Sequence, residues 1–109
     1  MTVQVKDLVP TKILEPAPIV QYECKVASAI IDKITIFNPS AASVVVEITL
    51  NTVADSLLLP GVLMKKTLQP GEPYTCPEIS GHGMVTGDQI TTGTSAQVVI
   101  MRVSGREIS

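Results

Sequence analysis

At 109 residues and a formal net charge of −2, the chain is one domain's worth and has no basic footprint for nucleic acid or for an anionic membrane surface. Hydrophobic residues make up 45% of it and charged residues only 17%, with Tyr22, Phe37 and Tyr74 the sole aromatics. Ordinary domains carry roughly 25% charge, so a small chain of this composition is expected to leave aliphatic surface for other subunits to cover, the alternative being a thick aliphatic core.

The opening "MTVQVKDLVPTK" has no basic segment followed by an apolar core, so no secretory leader is expected. No apolar run approaches the roughly 18 residues of a membrane helix. Synthesis in a cytosol is expected, with Cys24 and Cys76 as reduced thiols. Pro10, Pro16 and Pro18 keep their segment extended and out of the middle of any sheet. Residues 1–18 are therefore expected as an extended proline-rich N-terminal arm or an edge, and residues 19–109 as the folded domain.

"IVQYECKV" (Ile19 to Val26) reads as a strand, and so does the β-branched "SAIIDKITIF" (Ser28 to Phe37), with Ile34 and Ile36 on one face. In "SVVVEITLN", Val44, Val46, Ile48 and Leu50 share one face. Ser43, Glu47, Thr49 and Asn51 share the other, with Val45 the exception. That is the pattern of a half-buried antiparallel strand. The turn chemistry of "NPSAAS" predicts a hairpin joining these two strands. "NTVADS" is expected as a loop, and Pro60-Gly61 as a bend between two short strands. A Pro-Gly turn in "LQPGEPYTC" leads to a strand near Glu72 to Cys76. "SGHGMVTGDQI" reads as a loop with a turn at Gly87-Asp88. "QITT" is a short strand, and "AQVVIMRVSG" (Ala96 to Gly105) the last long one, with Val99, Met101 and Val103 on one face. No stretch has helical periodicity with caps, although "CPEISGHG" could hold one helical turn starting at Pro77. Seven or eight strands separated by turn signals predict an all-β fold, a single antiparallel β-sandwich, Ig-like or jelly-roll-like.

The residues with chemistry cluster in "YTCPEISGHG", which holds Cys76, Glu78 and His82, the only histidine. Structural zinc needs a full set of paired Cys and His ligands, and Cys24 would have to come from far along the chain. A Cys–His nucleophile needs an oriented imidazole, yet Gly81 and Gly83 flank His82. The stretch is read as a strand end and a corner, with Cys76 a small apolar residue. Asp88 in "TGDQI" lacks the alternating acidic neighbours of a calcium loop and is read as a turn aspartate. Arg106 and Glu107 are read as a solvated strand end or an intersubunit contact. No phosphate loop and no nucleophile elbow occurs. No catalytic, cofactor-binding or metal residue is therefore assigned, and no enzyme is expected.

"IIDKITIFNPSAASVVVEITL", "KTLQPGEPYTCPEISGH", "GDQI" and "VSGREI" together resemble small virion structural proteins of tailed bacteriophages, over about Ile30 to Ile108. The resemblance implies a compact β-sandwich on or in the phage particle, assembled in the host cytoplasm. Its implied role is a head decoration (cement) protein, or alternatively a neck or tail component. Implied partners are its own copies, for example as a trimer, and other virion proteins such as the major capsid protein. A separate reading from the residues is a module whose loops "NTVADS" and "SGHGMVTGDQ" bind a host glycan or surface protein.

Overall fold

The computed structural model describes residues 2–54 and 57–109. Among the described residues there are nine strands and no helix. They are β1 (Val3–Ile13), β2 (Ile19–Glu23), β3 (Ser28–Phe37), β4 (Val44–Ala54), β5 (Leu57–Leu68), β6 (Pro73–Tyr74), β7 (Gly83–Val85), β8 (Gln89–Thr94) and β9 (Ile100–Ile108).

Two antiparallel sheets pack as a sandwich. The first runs β1-β9-β3-β6, with β7 also on β3; the second runs β2-β8-β4-β5. The pairing is nested: β4 with β5, β3 with β6 and β7, β2 with β8, and β1 with β9. The chain is thus one long ribbon doubled back on itself and wrapped into two layers. The ribbon closes at the chain ends, where Thr2 and Ser109 exchange backbone hydrogen bonds of 2.7 and 2.9 Å.

Alternation along the strands builds the core. Val44, Val46, Ile48 and Leu50 of β4 are buried, as are Ile34 and Ile36 of β3 and Met101 and Val103 of β9. Removal of these aliphatic faces from water is the main force holding the two sheets together. Asn38 seals one end of the sandwich. Its side-chain amide donates to the carbonyls of Ala42, Leu68 and Gln69, and its Oδ1 accepts from both the backbone and the hydroxyl of Ser40.

Several expectations need correction. β3 and β4 do not form a hairpin: they lie in different sheets, and the "NPSAAS" segment crosses between layers. The reason is that both strands bury one face against the same core, so they pack face to face. Within "NTVADS", residues 51–54 continue β4; Asp55 and Ser56 lie outside the described residues. Pro60-Gly61 does not split β5 in two. It forms a bulge in a single edge strand, between the pairs Leu50–Val62 and Asn51–Pro60. An edge tolerates a residue without an N–H, and a Cβ on Gly61 would come within 2.9 Å of Thr52 and 3.1 Å of the Leu50 carbonyl.

The strand expected at 72–76 is only Pro73–Tyr74, because Cys76 has a positive φ of 49°. The "SGHGMVTGDQI" loop contains the short β7 before its turn at Gly87 (φ 95°). The last strand runs later than expected, to Ile108, with its early residue Val99 buried before the strand begins. Of arm or edge, the first residues take the edge: β1 pairs with β9, and Leu8, Val9 and Leu14 are buried.

Candidate interaction surface

The structure does not bring Cys76, Glu78 and His82 together as a reactive unit. Cys76 is fully buried, and burial, reinforced by the Glu78 carboxylate, pushes its thiol up to about 12. Glu78 instead accepts from the Tyr74 hydroxyl at 2.7 Å. His82 is exposed, and its backbone is tied to Ile79 and Ile31. The segment makes one turn of helix-like bonding, Ser80 N–H to Cys76 carbonyl at 3.0 Å, without becoming a helix. Cys24 is also a buried free thiol, its pKa raised by burial; its S–H donates weakly to the Val26 carbonyl. Among the described residues, no group of three or more His, Cys, Asp and Glu is placed to hold a metal ion.

Asp88 is a buried bracket. One carboxylate oxygen accepts from the Val85 N–H at 3.0 Å and the other from the Val53 N–H at 3.1 Å. It therefore closes its own turn, as read from the sequence, and also fastens that turn to β4, which the sequence did not reveal. Arg106 forks onto Asp32 through Nε and a terminal nitrogen, with bonds of 2.9–3.2 Å. Glu107 turns inward, accepting from Tyr22 and pairing with Lys6 at 3.1 Å. Those partners, Tyr22 first, hold its carboxyl below the usual range. The neighbours Arg106 and Glu107 thus serve opposite faces of β9.

The surface feature that sequence reading missed is an aliphatic patch on the outer face of the first sheet. Register places Val3, Ile108, Ser28 and Val85 in one row across β1, β9, β3 and β7. The next outward row is Val5, Arg106, Ile30 and Gly83. Directly opposed residues point to the same side of a sheet, so Val3, Val5, Val85, Ile30 and Ile108 share one surface. Val5 is 77% exposed, Val85 57% and Val3 52%. Around the edge at the same end stands the β4–β5 hairpin, which runs on past the last pairing of β4 with β8 at Asn51–Gln89. Its Val53, Leu57 and Leu59 are exposed, and so is Leu63 further along β5. Asp88 ties the two parts of this end together, since it binds Val53 and Val85 at once.

Full burial of a Val or Leu side chain contributes roughly 1.5–3 kcal/mol, so this end has much to gain from a partner surface. A signal was present in "TVQVKD", where Val3 and Val5 alternate with polar residues. Alternation alone does not say whether the apolar face points in or out. Comparison with protein-family models, curated proteins and solved structures finds no match.

Proposed function

We propose that this protein is a structural component of a tailed-bacteriophage virion, a head-decoration (cement) protein that binds through its aliphatic end. The observation that carries the reading is the concentration of Val3, Val5, Val85, Val53, Leu57 and Leu59 at one end of a rigid sandwich. An attachment protein needs a stiff body and an apolar contact surface rather than reactive groups. The buried, proton-retaining Cys76 and the structural roles of Asp88 and Glu107 agree with that. The resemblance of the "NPSAAS", "PGEPYTC" and "SGREI" phrases to small phage virion proteins supports the particle as its location.

The finer fold reading is a jelly roll rather than an Ig-like sandwich. Support comes from the strand orders, β1-β9-β3-β6 and β2-β8-β4-β5, generated by four nested antiparallel pairings. An Ig-like sandwich divides its strands differently between the sheets. Jelly rolls occur in viral capsid proteins among others, but a fold alone assigns no role.

Quantitative mass spectrometry of purified particles tests the placement. A decoration protein is present at a copy number matching the capsid lattice, whereas a ring-sized copy number places it at the neck or tail. Particles lacking it are expected to lose DNA at lower temperature or under osmotic shock. Equal robustness removes the cement role.

A further inference from the structure

A second surface faces away from the aliphatic end. On the outer face of the β2-β8-β4-β5 sheet lies a groove of about 260 Å³. Its floor is Gly93 of β8, an outward position between the buried Thr92 and Thr94, where the missing side chain makes the hollow. Pro16 and Pro18 form one wall, Pro18 lying 3.7 Å from where a Gly93 Cβ would be. Glu47 and Lys65, directly opposite each other on β4 and β5, form the other.

The polar groups here are unusually free. Glu47 and Lys65 are both exposed, and among the described residues neither takes part in an ion pair or a side-chain hydrogen bond. The Thr91 hydroxyl accepts from Asn51 at 2.8 Å and the Ser95 hydroxyl accepts from the Val45 N–H at 2.9 Å, so each keeps its own proton to donate. The groove therefore offers one acceptor-only carboxylate, one donor-only ammonium and hydroxyl donors, beside the apolar faces of Pro16, Pro18 and Val45.

From this set we infer that the groove binds a saccharide unit. A phosphate is repelled by Glu47, a simple cation by Lys65, and a purely apolar ligand leaves both charges desolvated. Neighbouring hydroxyls on a pyranose satisfy the pair at once, one donating to the carboxylate and the next accepting from the ammonium. The sugar's C–H face then lies on the prolines. The charged wall of the groove sets its ligand apart from the aliphatic end, and the reading does not depend on the virion proposal.

The test is a titration of the full-length, isotope-labelled protein with methyl glycosides of glucose, galactose, mannose and N-acetylglucosamine, followed by amide chemical shifts. Saturable shifts at Thr49, Thr91 and Gly93 are expected with at least one of them. Gly93→Val fills the floor, in a strand where valine is favoured and the nearest atoms leave room for a Cβ. It is expected to abolish the shifts while the far-UV spectrum and Tm stay unchanged. Glu47→Ala, at an exposed position, is expected to weaken binding roughly tenfold or more, and it stands in if Gly93→Val fails to fold. The inference is overturned if no glycoside gives saturable shifts into the millimolar range. It is likewise overturned if both variants bind with the affinity of the unaltered protein, or if free glycine or a proline-rich peptide binds and the sugars do not.

Discussion

Asn38 has every side-chain hydrogen-bonding group engaged and none of its surface exposed. Truncation deprives the Leu68 carbonyl and the Ser40 N–H of this partner, each loss worth about 1–3 kcal/mol, while the Gln69 carbonyl keeps the Glu72 N–H and the Ser40 hydroxyl keeps the Ala42 carbonyl. Asn38→Ala is therefore expected to lower the unfolding free energy by about 2–3 kcal/mol, measured by urea denaturation with an unchanged m-value. Gly105 is held by a different constraint. A Cβ there would lie 2.3 Å from the Ile30 carbonyl oxygen and 2.7 Å from Leu8, because β9 is squeezed between bulges in β1 and β3. Backbone cannot step aside as a side chain can, so Gly105→Ala is expected to cost about 3 kcal/mol, read as a loss in Tm. The thiols give a third test. With Cys24 and Cys76 buried and their pKa values raised by that burial, both should resist a thiol reagent at mildly alkaline pH and react only once urea unfolds the chain. Rapid reaction in the native state would refute this.

Among the elements, those with strict alternation and no punctuation were legible from sequence: β3 has the expected bounds, and the buried face of β4 is the expected one. What alternation cannot report is phase. In β1, Val3 and Val5 face out until a bulge between Asp7 and Val9 resets the pattern, after which Leu8 and Val9 are both buried. Nor does local sequence distinguish a hairpin from a crossover, since Asn-Pro turns serve both, and so the β3–β4 connection is a crossover where its turn chemistry predicts a hairpin. The candidate surface was illegible for the same reason: it depends on which strands are neighbours. One element belongs to that surface alone, the projecting part of the β4–β5 hairpin. The combined Leu57→Ser and Leu59→Ser variant removes exposed side chains, so its Tm should shift little. Incorporation into particles, followed by mass spectrometry, should fall sharply. Normal incorporation would exclude the hairpin from the attachment surface.

For the molecule as a whole, nested pairing makes almost every inter-strand partner distant in sequence except across β4–β5. Such topologies fold slowly, in milliseconds to seconds, and stopped-flow refolding should show it. Acid stability follows from carboxylates held by partners, one between the layers and one in the turn after β5. Glu107, held by Tyr22 and Lys6 between the two sheets, and Glu72, held first by the Gln69 N–H and then by Lys66, both have lowered pKa values. A lowered folded pKa adds stability that is complete above the ordinary carboxylate value of 4.5 and disappears as pH falls through the folded one. Tm should accordingly be level near neutrality and decline below about 4.5, and Glu107→Gln should lower the neutral value and flatten the decline. The bonded pair Thr2 and Ser109 sits beside Val3, at the aliphatic end, while the Pro39–Ser43 connection lies at the opposite pole. On the proposed attachment through this end, a fluorescent reporter joined at either terminus would therefore sit like a stopper over the contact and abolish particle labelling in a chain that is otherwise intact. The same reporter spliced after the exposed Gln97, in the β8–β9 turn at that opposite pole, would leave the Asn38 bonds intact and labelling unimpaired.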